Sequence, residues 1–116
     1  MLVNMAVAIG ILSGCSEYES NTFESYVEAK ESGIIGRGWM PEFIPRSAYD
    51  IKERHKVDVA IIDVEFKFNP GDVVAFERSC SMREPTTYVC DNKRNPVRAV
   101  ISDVNHADIM SVRDGT

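Results

Sequence analysis

The segment from Ile62 to Phe68 alternates strictly between apolar and charged side chains. Ile62, Val64, Phe66 and Phe68 are apolar, whereas Asp63, Glu65 and Lys67 are charged. Successive side chains of a strand point to opposite faces, so this pattern predicts a strand with one face in the core and one in water. Half-buried strands of this kind are typical of antiparallel sheets. The segment therefore constrains the fold to include a small, mainly antiparallel sheet.

Two segments before this strand carry helix-capping signals. Asn21 and Ser47 are each followed three residues later by an acidic residue, which is close to the spacing of a capping box. The first signal predicts a helix that ends at Gly33, a residue that readily adopts the left-handed conformation of a helix end. The second signal predicts a short helix over 47–55.

After the strand, Asn69 and Pro70 mark the start of a third predicted helix, because proline is favoured at the first helical position. The alternative for this region is a strand over 76–82, in a hairpin centred on residue 85. Further β-rich segments lie at 86–90, 97–102 and 109–113. Together these patterns predict an α+β fold, in which two or three short helices pack on one face of the sheet.

Composition allows one small domain and argues against nucleic-acid binding. The chain has 116 residues, with 13 Lys and Arg against 18 Asp and Glu, and a net charge of −5. Phosphate recognition needs an excess of basic residues, and this chain has the opposite. All of these charged residues lie at Glu17 or beyond, so residues 1–14 are uncharged.

The uncharged segment 1–14 is too short to span a bilayer, which takes about 20 helical residues. It suits the apolar region of a secretory signal. Leu12-Ser13-Gly14-Cys15 resembles a bacterial lipobox, which implies a diacylglycerol on the Cys15 thiol and cleavage before that residue. The predicted organisation is a signal peptide over 1–14, a lipidated Cys and tether over 15–21, and one domain over 22–116. The alternative is a cytosolic protein with a buried N-terminal helix.

The lipobox resemblance also implies an address in the cell envelope. Ser16 follows the cysteine, which by that resemblance favours the outer membrane over the inner membrane, with the domain facing the periplasm. Two or more acyl chains anchor a protein stably. In an oxidising periplasm, the two remaining cysteines, Cys80 and Cys90, are predicted to form a disulfide. In a cytosolic chain they would instead be reduced and buried.

Residues 36–45 contain Pro41, Pro45 and four large apolar side chains, a composition typical of an irregular segment. Two interpretations of its aromatic residues are open. Trp39 and Phe43 either pin the segment to the core or form an exposed binding surface.

A resemblance to a known family rests on this same segment, Gly38-Trp39-Met40-Pro41-Glu42-Phe43-Ile44-Pro45-Arg46-Ser47-Ala48. Asp50-Ile51, His55, Asp58 and then Phe66-Lys67-Phe68 follow it. Over residues 10–80 the chain resembles small bacterial lipoproteins that share a Gly-Trp-x-Pro-x-Phe-x-Pro-x-Ser-Ala segment followed by a strand. That family has no assigned activity, so the resemblance implies no catalytic residues.

The sequence contains few motifs that indicate catalysis. The chain has two histidines, His55 and His106, and no Gly-x-Ser-x-Gly sequence that would present a nucleophilic serine. Residues 103–108 contain Asp103, His106 and Asp108, but neither HExxH spacing nor the glycine of a calcium loop. We interpret them as a polar turn between two β segments, and Asp63 with Glu65 as a solvated strand face.

The sequence therefore predicts a non-enzymatic accessory or interaction protein, anchored to a membrane by lipid. We expect a protein partner. We expect no cofactor, metal site, small-molecule substrate or nucleic acid. A sharper alternative is an immunity protein, whose acidic surface would steer onto a basic toxin. The enzymatic alternative is a small hydrolase that uses His106 with Asp103 or Asp108.

Overall fold

Seven antiparallel strands form one sheet in the computed structural model, which describes residues 18–59, 61–92 and 96–112. The strands are β1 (Tyr18–Ser25), β2 (Tyr49–Lys56), β3 (Ile61–Lys67), β4 (Cys80–Glu84), β5 (Thr87–Cys90), β6 (Val97–Asp103) and β7 (His106–Ser111). Their order across the sheet is β1-β2-β3-β7-β6-β5-β4. Strands β1–β3 and β4–β7 therefore form two meanders, which meet where β3 pairs with β7.

Two short helices accompany the sheet in the described part of the chain. Helix α1 (Tyr26–Ser32) follows β1 directly. A 3₁₀ turn (Pro70–Val73) continues into helix α2 (Val74–Ser79), which connects β3 at the centre of the sheet to β4 at its far edge. Each helix buries a side chain completely, Ala29 in α1 and Phe76 in α2.

The predicted α+β class is wrong, because the described residues form mainly β structure. Residues 49–56 form β2, not a helix. Its inward side chains are Ile51, Glu53 and His55, all buried. Two of these three are polar, so the alternation that marks a half-buried strand is hidden in the sequence.

The predicted start of the first helix is also wrong. Asn21 lies in β1, where it pairs with Glu53 of β2. The helix is capped four residues later by Ser25, whose hydroxyl accepts a hydrogen bond from the Glu28 N–H at 3.2 Å. Its predicted end is confirmed, since Gly33 caps the helix with a left-handed φ of 88°. The predicted tether 15–21 overlaps β1 from Tyr18 onward.

The local predictions for β3 and for the region after Asn69 agree with the structure. Strand β3 is confirmed, and Asn69 caps the 3₁₀ turn by accepting a hydrogen bond from the Gly71 N–H. Helix α2 gives way to a strand at Cys80, so this region contains both of the structures that the sequence allowed.

The core lies on one face of the sheet, beneath α1, α2 and the irregular segment 33–48. An aromatic cluster occupies its centre, where Phe76 packs against Phe66, Phe68 and Tyr88 with ring centroids 5.8–6.3 Å apart. Phe76 belongs to α2 and is fully buried in this cluster, so its contacts pack the helix against the second meander.

Candidate functional site

The face of the sheet opposite the core carries charged side chains in rows that follow the strand register. In one row, Arg54 of β2 lies opposite Asp63 of β3, and their side chains form a salt bridge at 3.2 Å. In the next row, Lys52 lies opposite Glu65, which in turn lies opposite Asp108 of β7. We call this surface the outer face.

Three side chains converge near the middle of the outer face. The His106 Nε2 atom lies 3.6 Å from Glu65 Oε2 and 3.9 Å from Asp108 Oδ1. The side chains of Glu65, His106 and Asp108 are 43%, 28% and 35% exposed, so solvent reaches all of them. Glu65 belongs to β3, and His106 and Asp108 belong to β7, which pairs with β3 near the centre of the sheet.

The surroundings of this cluster disfavour the charged form of the Asp108 carboxyl group. Partial burial raises the pKa of its carboxyl group above the ordinary value, and His106 partly offsets the effect. The negative charges of Glu65 and Asp63 raise the pKa of Asp108 further. The site therefore concentrates negative charge where water only partly screens it.

The chemistry of this cluster is that of a cation site or of a proton acceptor. Within residues 18–59, 61–92 and 96–112, it is the group of three potential ligands whose atoms all lie within 4.8 Å of one another. An imidazole nitrogen and two carboxylate oxygens are donors that divalent transition metals accept. A surface depression lined by Lys52, Arg54, Asp63 and Glu65, among other residues, adjoins the cluster at Glu65.

The structure brings His106 together with Asp108, one of the two acidic residues considered for a hydrolase. Asp103 pairs with His106 in the strand register, but its Oδ1 atom accepts a hydrogen bond from the Val104 N–H at 2.9 Å. Glu65, from β3, takes the second acidic position. Sequence spacing could not show this contact, because it depends on the pairing of β3 with β7.

Trp39 lies in the core, where it is 5% exposed. Its ring stacks on His55, with centroids 4.1 Å apart and planes inclined by 12°. The buried position holds the surrounding segment against β2, which is the pinning role considered for it.

His55 belongs to a buried polar network beneath Trp39. Its Nδ1 atom lies 2.6 Å from Glu53 Oε2, and its Nε2 atom lies 3.4 Å from Glu19 at the sheet edge. Glu53 also accepts a hydrogen bond from the Asn21 amide at 2.9 Å. Burial raises the pKa of Glu53, although the bonds from Asn21 and His55 counteract it. These contacts satisfy both Glu53 oxygens.

Phe43 is half-buried and packs edge-on against Phe76, with centroids 6.1 Å apart. It lines a shallow groove with Glu42, Ser79, Asp91 and Asn92, between the irregular segment and the end of α2. Of the two aromatic residues considered for binding, Phe43 is thus the one that reaches a surface depression.

The predicted disulfide is confirmed. Cys80 and Cys90 are bonded across the β4–β5 hairpin, and they are direct partners in its register. A bridge that closes so short a loop contributes about 3 kcal/mol in the chain-entropy model. Cys15, the predicted lipidation site, lies outside the described residues, and so do residues 1–14.

The first meander is similar to a known domain family. Residues 17–67 match the family described as the YbbD head domain. The match ends at the last residue of β3 and includes the segment from Gly38 to Ala48. No curated protein and no solved structure matches the chain significantly. In the described part of the chain, none of the helices has the length and apolar character needed to cross a bilayer.

Proposed function

We propose that this chain is a lipoprotein of the bacterial cell envelope, anchored by a lipid on Cys15, whose domain acts as a non-enzymatic interaction module. The outer membrane, with the domain on the periplasmic side, is the proposed location. The disulfide supports export, since such bonds persist in oxidising compartments. The similarity of residues 17–67 to the YbbD head domain supports an accessory role, because that description names a domain and no catalytic activity.

The observation that carries the proposal is the position of the N-terminal end of the sheet. Tyr18, the first residue of β1, pairs with Lys56, the last residue of β2. The loop after β2 therefore lies beside the point where the chain enters the sheet. Tyr18 is the third residue after Cys15, so the chain between them can reach about 10 Å at most.

This end of the sheet has the side chains of a membrane-facing surface. Val57 and Val59, in the loop after β2, are 56% and 52% exposed. Arg54 and Lys56 both lie over the Tyr18 ring, with their charged groups 4.7 and 5.6 Å from its centroid. Apolar, aromatic and basic side chains together are typical of surfaces that rest in a lipid headgroup layer.

A domain anchored at this end keeps its outer face available to partners. The strands run away from the anchor for about 20 Å along β3, given the usual rise per residue. The Glu65–His106–Asp108 cluster provides polar groups for specific contacts on this face.

Mass spectrometry of protein extracted from bacterial membranes tests the anchor. The expected N-terminal peptide begins at Cys15 and carries a diacylglycerol thioether, and the Cys15→Ser variant should move to the soluble fraction. The variant is a matched control because it changes one atom and leaves the described domain intact. An unmodified Cys15 in a soluble wild-type protein would refute the proposal.

A further inference from the structure

The potential ligand atoms of Glu65, His106 and Asp108 all lie within 4.8 Å of one another, which is close enough for them to share one metal ion. The two distances from His106 Nε2, 3.6 and 3.9 Å, exceed those of good hydrogen bonds, which are about 2.7–3.2 Å for nitrogen donors. Ligand atoms placed about 2.1 Å from a tetrahedral ion stand about 3.4 Å from one another. The observed atoms need only small side-chain adjustments to reach that arrangement.

The strand register gives an independent reason to expect a cation here. Glu65 and Asp108 are direct cross-strand partners, and like charges in such a position destabilise a sheet. On its other side, Asp108 lies opposite Val100, which carries no charge, so the basic residue of this row is Lys52, on the far side of Glu65. Lys67, the partner of His106, is directed to Asp50, with 3.6 Å between the charged groups.

We propose that Glu65, His106 and Asp108 bind a divalent transition-metal ion, for which zinc is the appropriate probe. The imidazole nitrogen favours transition metals over magnesium and calcium, which prefer oxygen donors. Three protein ligands leave a fourth position open on the solvent side, where water or a carboxylate of a partner completes the tetrahedron. The site is independent of the membrane anchor, since all three ligands lie on β3 and β7.

Calorimetric titration of the full chain with zinc chloride tests the site. The protein should carry Cys15→Ser and an oxidised Cys80–Cys90 bond, so that no free thiol binds zinc, and it should have no histidine tag. We expect one zinc ion per chain and much weaker binding of magnesium. Absence of zinc binding, or equal binding of the two ions, would overturn the proposal.

Three variants separate this site from adventitious binding to exposed carboxylates. His106→Ala and Asp108→Asn should each weaken zinc binding at least about tenfold, the lower end of the cost of changes around metal ligands. Asp103→Asn removes an exposed carboxylate from the same hairpin and should leave the affinity unchanged. Equal affinity in His106→Ala and the parent protein would mean an adventitious ion only.

A measurement on the unmutated site covers the case in which a variant fails to fold. In NMR spectra, zinc should shift the imidazole resonances of His106 and leave those of His55 in place, because His55 is buried beneath Trp39. A shift of both histidines, or of neither, would contradict the assignment.

Discussion

At the scale of single residues, Glu53 is the most unusual side chain of the domain. It is a carboxyl group with 2% exposure on the core side of β2, bonded to Asn21 and His55. Burial is the largest cause of its raised pKa, and the charge of Glu19 adds to it. The folded state therefore favours the protonated form of Glu53 more than the unfolded state does.

This raised pKa predicts a specific dependence of stability on pH. Between the ordinary value of 4.5 and the raised value, the folded chain binds more protons at Glu53 than the unfolded chain. The free energy of unfolding should therefore fall as the pH rises through that window. Glu53→Gln is neutral throughout, so this contribution should disappear. Urea denaturation at a series of pH values from 4.5 upward measures the difference.

The control for this prediction is Glu19→Gln. Glu19 also contacts His55, but its side chain is 67% exposed, and the variant leaves the Glu53 carboxyl group in place. It should keep most of the decline in stability with pH. If Glu53→Gln showed the same slope as the wild type, the attribution of the slope to Glu53 would be incorrect.

At the scale of structural elements, the β4–β5 hairpin contains a strained position. Thr86 has a φ of 71°, in the left-handed region that β-branched residues avoid. It follows Pro85 in the two-residue connection between Glu84 and Thr87, where a turn with a positive φ favours glycine or asparagine. The Thr86→Asn variant should therefore raise the free energy of unfolding by about 1 kcal/mol.

Chemical denaturation checks this prediction, with Thr87→Asn as the matched control. Thr87 lies in β5, where asparagine is a poor strand former, so that variant should not gain stability. A Thr86→Asn variant that is no more stable than the wild type would show that the turn tolerates threonine without strain.

The elements also show how far the sequence can be interpreted alone. Strand β3 was predictable because Ile62, Val64 and Phe66 mark its buried face without interruption. Strand β2 was not, since Glu53 and His55 occupy inward positions that usually hold apolar residues. The capping-box spacing then favoured a helix that the pairing of β2 with β1 and β3 overrides.

The candidate site was predictable in part for a similar reason. His106 and Asp108 are close in sequence, so their association could be considered from spacing alone. Glu65 joins them only through the register of β3 with β7, and nothing local in either segment specifies that pairing. The disulfide was easier, because only two cysteines remain once Cys15 is assigned to the lipid.

At the scale of the whole molecule, the proposed membrane-facing end can be separated from the rest of the sheet. Val57 and Val59 lie at the end where the chain enters β1. Replacing both by Asp should weaken binding of the unlipidated chain to anionic vesicles, because charged groups replace apolar side chains at the headgroup layer. Vesicle co-sedimentation measures the loss.

Val104 offers a matched control at the opposite end. It is 74% exposed and lies in the turn between β6 and β7, two residues before His106, which pairs with Lys67 at the end of β3. Val104→Asp should leave vesicle binding unchanged. If Val104→Asp weakened vesicle binding as much as the double replacement, the assignment of the end with Val57 and Val59 as the membrane-facing end would be contradicted.

The place where β3 meets β7 has a consequence for how the domain must fold. The region similar to the YbbD head domain ends at Lys67, so its last strand would have an unpaired edge if the chain stopped there. Such an edge recruits other strands and promotes aggregation. In this chain the missing neighbour is β7, the last strand in the described part of the chain. During translation, the edge of β3 therefore remains unpaired until β7 has been synthesised, and a chaperone that binds exposed strand edges would act during that interval.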